Sequence, residues 1–516
     1  MSARQDSDNL AWDRSDDLWD EAVKQVRLSS YCRKIEAFAE GVLGGPAKLK
    51  RPLIIGGFNV LYPIQIEGST SGGFLIRQPL PNQAVFPEEK TLAEAATARY
   101  IAQHTKLLVP KIFHHGVDPS IGPFIIIQDL ESRETLSRPL ENPRKDLNEL
   151  SVLNLNLSES ELKDQYFKMA RCILQLAQPT FPRIGALIET SSRSLVTTSP
   201  GSQCVMGRPI TLNMNNMVKL SNIPKSVLPS EGTTYQTADE WYVALAEMQI
   251  ATLLFQHNDI VSSEDDCRTK YVARQLFRKL AKQGHLSNFG FVEDDWSALS
   301  KHARADQLPM PDGAGSFRLW CDDLRPANVV INDDNSVLGV IDWEFAYAAP
   351  TQFILDSPWW LLLDKPEAWD GGIEEWTSIY KVRLRAWLRA LEEAEEELEP
   401  GSFLLLSAYM RESWETGRFW LDYAAMSSWA FDTVYWKYLD ERFFGERFFG
   451  ERSFGEGGEG LQAGELWKTR VHLLSEEERA AMEPLVQIKM EESKERVLVD
   501  WDAEEAKQRL SSFLFD

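Results

Sequence analysis

The stretch that decides the fold is residues 321–344, CDDLRPANVVINDDNSVLGVIDWE. A polar loop precedes the apolar run VVI (329–331), and the turn NDDNS leads into a second apolar run, VLGVI (337–341). Two short apolar runs joined by a polar turn predict a β-hairpin. Asp342 follows the second run directly. We therefore expect a loop, a hairpin and then a carboxylate, in that order.

Asp323 and Asn328 stand five residues apart in this loop, in the pattern D-L-R-x-x-N. This is the spacing of a kinase catalytic loop, where the Asp orients or deprotonates the attacking hydroxyl and the Asn binds magnesium. Asp342 stands where a second magnesium-binding carboxylate belongs. The alternative is that these are surface turn residues around a hairpin. The ordered combination of loop, hairpin and acid favours phosphoryl-transfer chemistry, which depends on positioning and charge neutralisation.

The wider segment 317–363, FRLWCDDLRPANVVINDDNSVLGVIDWEFAYAAPTQFILDSPWWLLL, resembles the signature of fungal members of the aminoglycoside-phosphotransferase-like family. The resemblance implies a two-lobed, protein-kinase-like α+β fold. The N-lobe would be a small antiparallel sheet and the C-lobe large and mainly helical. It also implies ATP and Mg²⁺ as cofactors. Asn328 and Asp342 would hold the metal, and Glu344 would be either a further metal ligand or a supporting carboxylate.

One residue departs from the family pattern in the catalytic loop. The family carries H-x-D-x-x-x-x-N, and this chain has Cys321 in the place of that His. A thiol is smaller and a weaker hydrogen-bond donor than an imidazole. We expect the change to affect the rigidity of the loop more than its chemistry, because Asp323 and Asn328 remain.

The runs RPLIIGG, VLYPIQIEG and GGFLIRQP (51–79) are short, apolar and interrupted by glycines, which predicts a β-meander. Gly56-Gly57-Phe58-Asn59 would lie where the family has its phosphate-covering loop, although a plain turn is an equal interpretation of these residues alone. Arg77 stands in the strand position where protein kinases carry Lys. Its guanidinium could pair with nucleotide phosphates, but it is not interchangeable with an ammonium.

A helix is predicted from Pro87 to about His104. Glu94 shares a face with the apolar residues Ala98 and Ile101, so its carboxylate is expected to point inward toward Arg77 rather than into solvent. The run PFIIIQDL (123–130) would then be the hinge between the lobes. The resemblance implies that its backbone contacts adenine around Gln128 to Leu130.

Composition narrows the class of protein. The chain has 516 residues, a formal net charge of −23 and five scattered Cys. This charge disfavours nucleic acid and anionic membranes as partners, and the Cys spacing disfavours a zinc site or a disulfide framework. The sequence has no uncharged apolar run long enough for a transmembrane helix, so none is expected. We expect a cytoplasmic protein and leave its oligomeric state open.

Five regions are predicted along the chain. They are an acidic N-terminal extension with one helix around 16–42 (1–45), the N-lobe (46–130), the helical C-lobe with the catalytic loop (131–440), a flexible loop formed by the repeats ERFFG, ERFFG and ERSFG (441–460), and a C-terminal helical extension (461–516).

The sequence therefore predicts transfer of the γ-phosphate of ATP to a hydroxyl of a small molecule, with Asp323 as the base. A protein kinase is disfavoured, because the chain runs from Asp342 into PWWLLL (358–363) without the long activation segment and its A-P-E. A third hypothesis is a catalytically weakened binding or scaffold protein. Cys321 and Arg77 are the features that keep it open.

Overall fold

The computed structural model describes residues 8–68, 72–143, 152–189, 203–302, 307–311, 316–397, 405–449, 452–453 and 463–516. The strands are β1 (Ala47–Leu49), β2 (Ile54–Ile55), β3 (Asn59–Ile66), β4 (Phe74–Pro79), β5 (Ile112–Asp118), β6 (Gly122–Gln128), β7 (Thr180–Phe181), β8 (Ala186–Glu189), β9 (Gln203–Gly207), β10 (Phe317–Cys321), β11 (Val329–Ile331), β12 (Val337–Val340), β13 (Ala346–Ala349), β14 (Phe448–Phe449) and β15 (Arg452–Ser453).

The α-helices are α1 (Asn9–Val26), α2 (Ser29–Leu43), α3 (Pro87–His104), α4 (Glu159–Leu176), α5 (Leu212–Ser221), α6 (Ala238–Phe255), α7 (Glu264–Lys282), α8 (Thr351–Ile354), α9 (Gly372–Glu396), α10 (Leu406–Thr416), α11 (Arg418–Met426), α12 (Phe431–Val434), α13 (Asp440–Phe444), α14 (Glu476–Glu492) and α15 (Ala503–Ser511). A π-helical turn, Tyr435–Leu439, joins α12 to α13.

Strands β1 to β6 form one antiparallel sheet in the order β1-β3-β4-β6-β5, with β2 also paired to β3. Side chains alternate between its faces, as they must along a strand. On β4, Ile76 is buried in the core of the small lobe, whereas Leu75 and Arg77 line a cleft on the opposite face. The predicted meander is thus present, and its period of two residues places Arg77 in the cleft.

Helices α1 and α2 cover the outer face of this sheet. Ala22 and Val26 of α1 and Ile35 and Ala39 of α2 share a buried core with the strands. The prediction of one helix around 16–42 is wrong, because there are two helices and the chain breaks between Val26 and Ser29. The first helix also begins earlier, since the Asp8 carboxylate accepts a hydrogen bond from the Ala11 N–H at 2.9 Å and caps it.

Helix α3 lies on the cleft side of the sheet and spans the residues predicted for it, Pro87–His104. Proline at its first position and the acidic residues Glu88 and Glu89 in its first turn favour a helix start here. Its residues Ala96 and Ile101 belong to the main core of the molecule. The helix therefore joins the small lobe to the large one.

The large lobe is mainly helical and carries most of the buried aromatic side chains. Trp241, Trp376, Trp387 and Trp420 are fully buried within its core. Small antiparallel groups of strands interrupt the helices, among them β7-β10-β13, the pair β8-β9 and the hairpin β11-β12. The hairpin is the one predicted from 329–341. The predicted fold class, a small antiparallel-sheet lobe before a large helical lobe, is confirmed.

The C-terminal helices pack on the large lobe. Tyr271 of α7 donates a hydrogen bond to the Glu478 carbonyl of α14 at 2.7 Å, and the buried Lys489 donates to the Gln256 carbonyl at 2.9 Å. No helix in the described part of the chain is long and apolar enough to cross a membrane.

The ERFFG repeat is only partly described, since residues 450–451 and 454–462 lie outside the described residues. The first copy completes α13, and Arg447 of the second copy bonds to the fully buried Asp440 at 2.8 Å. Strand β14 pairs with β15 in an antiparallel hairpin. The described parts of the repeat thus have regular structure, in contrast to the loop predicted for 441–460.

Candidate active site

A cleft of ≈ 450 Å³ opens between the inner face of the sheet and the catalytic segment. Its walls are largely aliphatic, from strands β2 to β6 and from Val330 and Ile341 of the large lobe. It is lined by every predicted site residue except Asn328, namely Gly56, Gly57, Phe58, Asn59, Arg77, Glu94, Gln128, Leu130, Asp323, Asp342 and Glu344. Residues far apart in the sequence thus meet around one cavity of ligand size.

Asp323 and Asn328 face each other across the catalytic loop. The Asn328 Nδ2 donates to the Asp323 carbonyl at 2.7 Å and to its carboxylate at 3.3 Å. Arg325 Nε lies 3.1 Å from the other carboxylate oxygen. Burial raises the pKa of Asp323, although Arg325 opposes the shift. The loop therefore holds a carboxylate that binds protons more readily than a free Asp.

The hairpin brings Asp342 beside Asn328. Val329 pairs with Val340, and the Ile341 N–H donates to the Asn328 carbonyl at 2.9 Å, so Asp342 follows one residue beyond this bond. Its φ is 71°, a left-handed conformation that costs free energy for a residue with a Cβ. Since Asn328 donates through Nδ2, its Oδ1 remains as the atom that could bind a cation.

Arg77 connects the acids of the two lobes. Its Nε lies 3.0 Å from a carboxylate oxygen of Glu94, so the pair expected from the sequence is present. Its Nη2 bonds to Asp342 and lies 3.4 Å from Glu344. Burial alone would lower the pKa of Arg77, but the carboxylates of Asp342 and Glu94 raise it above the usual value. Burial raises the pKa of Glu94, and the Arg77 charge opposes that shift.

Lys90 is a site residue that the sequence reasoning missed. It lies one helical turn before Glu94, is 1% exposed, and donates to the Asn59 Oδ1 at 3.1 Å and to Glu344. Burial lowers the pKa of Lys90 from its usual value, and the carboxylates of Glu94 and Asp342 oppose that shift. The spacing Lys90-x-x-x-Glu94, which puts both side chains on one helix face, is the signal that could have found it.

Glu344 has its carboxylate occupied by other residues. Both oxygens accept from the Asn59 Nδ2, each at 2.9 Å, and one also accepts from Lys90. The residue is 3% exposed. Of the two alternatives for Glu344, this arrangement favours the supporting carboxylate over the metal ligand that the sequence also allowed. The Asn59 side chain is likewise engaged with Glu344 and Lys90.

Gly56, Gly57 and Phe58 form the turn between β2 and β3. The Gly56 N–H donates to the Asn59 carbonyl at 2.9 Å, and the indole of Trp19 on α1 donates to the Gly56 carbonyl at 3.1 Å. The Phe58 ring meets Phe345 edge to face, with ring centroids 5.4 Å apart. This glycine turn is therefore held from three sides and lies against the segment that follows Asp342.

The predicted hinge runs along the other end of the cleft. The N–H of Gln128 donates to the Lys111 carbonyl and that of Asp129 to the Gly73 carbonyl, both at 2.9 Å. These donors are used within the protein. Among the described hydrogen bonds, none has the Leu130 N–H as its donor.

Comparison with known proteins bears on the catalytic segment. Residues 224–398 match the model of the phosphotransferase enzyme family. The predicted family resemblance is confirmed. The matched region contains Asp323, Asn328 and Asp342, whereas Arg77 and Glu94 lie before it. The fungal subgroup stays a prediction, and no curated protein sequence matches the chain.

Solved structures similar to this chain include two phosphotransferases. A macrolide 2′-phosphotransferase type I is 14% identical, with a TM-score of 0.36, covering 80% of this chain and 96% of that one. A thermostable mutant of aminoglycoside phosphotransferase APH(4)-Ia, in complex with AMP-PNP and hygromycin B, is 13% identical, with a TM-score of 0.32, covering 78% and 94%. These values are low, so the fold assignment rests on the architecture described above.

Cys321, in the place of the phosphotransferase family's His, lies buried at the start of the loop that contains Asp323 and Asn328. It is 4% exposed, and its thiol donates to the Asp342 carbonyl at 3.8 Å. Burial raises the pKa of this thiol well above its usual value, so it is held neutral. A small, weak donor thus joins the start of the catalytic loop to the backbone of Asp342.

Asp322, the neighbour of the predicted base, points the other way. It accepts from the Leu212 N–H at 2.9 Å, at the start of α5, and from the Trp320 indole at 2.8 Å. Burial raises its pKa to about 6. Asp322 therefore anchors the loop to the large lobe, and the two adjacent carboxylates have different surroundings.

The oxygen donors of Asn328 and Asp342 fit a magnesium ion. No group of three or more His, Cys, Asp or Glu in the described part of the chain is arranged to hold a metal. Mg²⁺ does not need such a cage, because it is commonly bound by one or two protein groups together with phosphates and water. The hard oxygen atoms of an amide and a carboxylate are suitable ligands.

Proposed function

We propose that the chain is an ATP- and Mg²⁺-dependent kinase that transfers the γ-phosphate to a hydroxyl of a small molecule. The observation that carries the proposal is that Asp323 and Asp342 line one cleft, while Asn328 bonds to Asp323 and, through Ile341, lies beside Asp342. The phosphotransferase family match over 224–398 supports it. Cytoplasmic location and independence from nucleic acid stay predictions.

Asp323 would act as the base. It lines the cleft, its carboxylate is held by Asn328 and Arg325, and burial raises its pKa. A raised pKa favours accepting a proton from an attacking hydroxyl. The hydrogen bond from Asn328 limits rotation of the carboxylate, which keeps it oriented for that transfer.

Asn328 Oδ1 and the Asp342 carboxylate would hold Mg²⁺. When bound, the ion neutralises charge on the β- and γ-phosphates. The left-handed backbone at Asp342 supports this role, because strained residues are commonly retained at functional positions. Arg77, between Glu94 and Asp342, would contact the phosphates, and the aliphatic walls with the Leu130 N–H would receive the base.

The segment after Asp342 supports a small acceptor over a protein. It enters strand β13 at Ala346, and Trp360 to Leu362 are buried within the main core. A protein kinase needs an activation segment here to receive a peptide. Asp342 is instead followed closely by packed structure.

The first test measures Mg²⁺-dependent thermal stabilisation of the protein by ATP. A ligand that binds only the folded state at 100 times its Kd adds about 2.7 kcal/mol. Asp342→Asn is the better variant, because Asn tolerates the left-handed conformation and so removes the charge without adding strain. We expect Asp342→Asn to lose the part of the thermal stabilisation by ATP that depends on Mg²⁺. If the wild-type protein gains no stability from Mg·ATP, the kinase proposal is wrong.

The second test concerns the base. Asp323→Asn should retain nucleotide binding but reduce turnover by ~10²- to 10⁴-fold, the usual contribution of a general base. The assay measures ATP consumption with a library of hydroxylated metabolites. A variant that binds nucleotide and turns over at the wild-type rate would show that Asp323 is not the base. Nucleotide binding without turnover of any acceptor by the wild-type protein would favour the binding-protein alternative.

A further inference from the structure

Lys90 is a buried cation that neither the chemistry above nor the cleft itself uses. Its ammonium contacts Asn59 and Glu344, and it is not among the residues that line the cleft. A buried ammonium is expensive unless it is paired. Since Lys90 contacts Glu344 and does not line the cleft, any effect of Lys90 on the cleft must act through the residues that it contacts.

Lys90 belongs to a charge cluster in which carboxylates outnumber cations. Three carboxylates, those of Glu94, Asp342 and Glu344, surround two cations, Arg77 and Lys90. The Arg77 Nη2 bonds to Asp342 and lies only 3.4 Å from Glu344. Asp342 and Glu344 can therefore compete for the same guanidinium nitrogen, and Lys90 contacts only one of them.

Lys90 also takes part in a link between the lobes. Asn59 begins β3 at the end of the glycine turn, and its amide donates to both oxygens of Glu344 at 2.9 Å while its Oδ1 accepts from Lys90 at 3.1 Å. Helix α3, the glycine turn and the segment after Asp342 thus meet at one buried three-residue cluster, Asn59, Lys90 and Glu344.

We propose that Lys90 is a positioning residue of the nucleotide site. By neutralising Glu344, Lys90 keeps the Arg77 guanidinium paired with Glu94 and Asp342. Through Asn59, it also holds the glycine turn against the segment that follows Asp342. This inference rests on the proposed function. Without Lys90, Glu344 would be a buried carboxylate short of a cation, and Arg77 would be drawn from Asp342 toward it.

The experiment measures the Kd of Mg·AMP-PNP for folded protein, after the denaturation midpoint of each variant is known. We expect Lys90→Met to weaken binding about tenfold or more, since breaking a buried pair leaves an uncompensated charge. The double variant Lys90→Met/Glu344→Gln removes both charges of the pair. It should recover to within about threefold of the wild-type Kd, because interacting residues are not additive.

Lys489→Met is the matched control. Lys489 is also 1% exposed and pairs with a carboxylate, Glu492, at 2.6 Å, but it lies on α14 and is not among the residues lining the cleft. It should lose stability without weakening nucleotide binding. If Lys489→Met weakens binding as much as Lys90→Met, the effect is general destabilisation and the proposal fails.

The remaining outcomes separate this inference from the proposed function. Wild-type protein that does not bind Mg·AMP-PNP would overturn both. Binding by the wild type and equally by Lys90→Met would overturn only the role of Lys90. Should Lys90→Met not fold, the double variant decides alone, since it removes both charges of the Lys90–Glu344 pair and leaves neither unpaired. More than tenfold weaker binding by a stable double variant would mean that one of these groups contacts the ligand directly, against the proposal.

Discussion

At the scale of single residues, Arg77 is placed where only a guanidinium satisfies both partners. Its Nε serves Glu94 at 3.0 Å and its Nη2 serves Asp342. An ammonium is one point charge and cannot bridge both carboxylates as a planar fork does. We expect Arg77→Lys to cost about 1–3 kcal/mol of unfolding free energy, as for a buried charged hydrogen bond lost, and to weaken Mg·ATP binding. Urea denaturation and nucleotide titration measure the two effects.

Arg99→Lys is the control for that prediction. Arg99 lies on α3, the helix that carries Glu94, and its single Nη1 contacts both oxygens of Glu189 at 3.1 Å, outside the residues that line the cleft. A lysine can replace such a contact, so nucleotide binding should not change. Equal binding by Arg77→Lys and wild type would contradict the role given to Arg77.

Cys321 occupies a buried position that suits a side chain smaller than the histidine of the family pattern. It is 4% exposed and already in contact with the Asp342 carbonyl. Cys321→His would force a ring into a packed site, which typically costs about 1–3 kcal/mol. Cys321→Ser keeps the size and the donor and should bind Mg·ATP as the wild type does. A Cys321→His variant as stable as wild type, by chemical denaturation, would show that the site has room for the imidazole.

Single residues of the site were predictable where local spacing carries the chemistry. Asp323, Asn328 and Asp342 lie within 20 consecutive residues, and their positions follow from one loop and one hairpin. Lys90 was not predictable in this way. Beside Glu88 and Glu89 it resembles an exposed residue of a helix start, and its burial depends on Glu344, which lies 254 residues later. No local pattern encodes a contact at that separation.

At the scale of elements, helix α1 acts on the cleft through one hydrogen bond. The Trp19 indole donates to the Gly56 carbonyl of the glycine turn at 3.1 Å. Trp19→Phe keeps an aromatic ring and removes the donor. We expect a stability loss of about 0.5–1.5 kcal/mol, the net value of one hydrogen bond, and weaker Mg·ATP binding by a few fold because the turn is less restrained.

Trp12→Phe tests whether that effect is specific to the turn. Trp12 is on the same helix, but its ring lies 5.7 Å from that of Trp429 in the large lobe. Its replacement should alter stability without changing nucleotide affinity. If both variants weaken binding equally in calorimetric titrations, α1 acts as a whole and the single bond from Trp19 is not decisive.

Elements were predictable where periodicity is strong and boundaries are marked. Helix α3 begins at a proline, and β11 and β12 flank a polar turn, so their limits follow from sequence. The break between α1 and α2 was missed because it falls at Arg27 and Leu28, and neither is a Gly or Pro that would mark a helix end. The docking of α1 and α2 on the sheet was also missed, since it depends on core contacts with strands that follow later in the chain.

At the scale of the whole molecule, the large lobe contains a pair of buried acids. Asp356 and Asp422 hydrogen-bond to each other, Ser413 donates to Asp356, and Tyr242 donates to Asp422 at 2.5 Å. Burial raises the pKa of Asp356 to about 6 and that of Asp422 well above its usual value. The charge of Arg418 opposes both shifts. The folded state therefore binds protons at this pair more readily than the unfolded state does.

The sign of the pH dependence follows from linkage. The folded pKa of Asp356 lies above its unfolded value, so its contribution is fully present below that unfolded value and is lost as the pH rises through about 6. As the pH rises from 4 to 7, we expect the ionisation of Asp356 to lower the free energy of unfolding by about 2 kcal/mol. Asp322, with a pKa also raised to about 6, adds to the same slope.

Asp356→Asn should reduce this slope, because an amide resembles the protonated acid and does not ionise. The variant should be more stable than wild type at pH 7 and close to it at pH 4, as measured by urea denaturation across this range. Asp334→Asn is the control. Asp334 is exposed, and hydrogen bonds from Ser336 lower its pKa, so its loss should leave the slope above pH 5 unchanged. An unaltered slope in Asp356→Asn would mean that the pKa of Asp356 is not raised in the folded state, because the charge of Arg418 offsets the effect of burial.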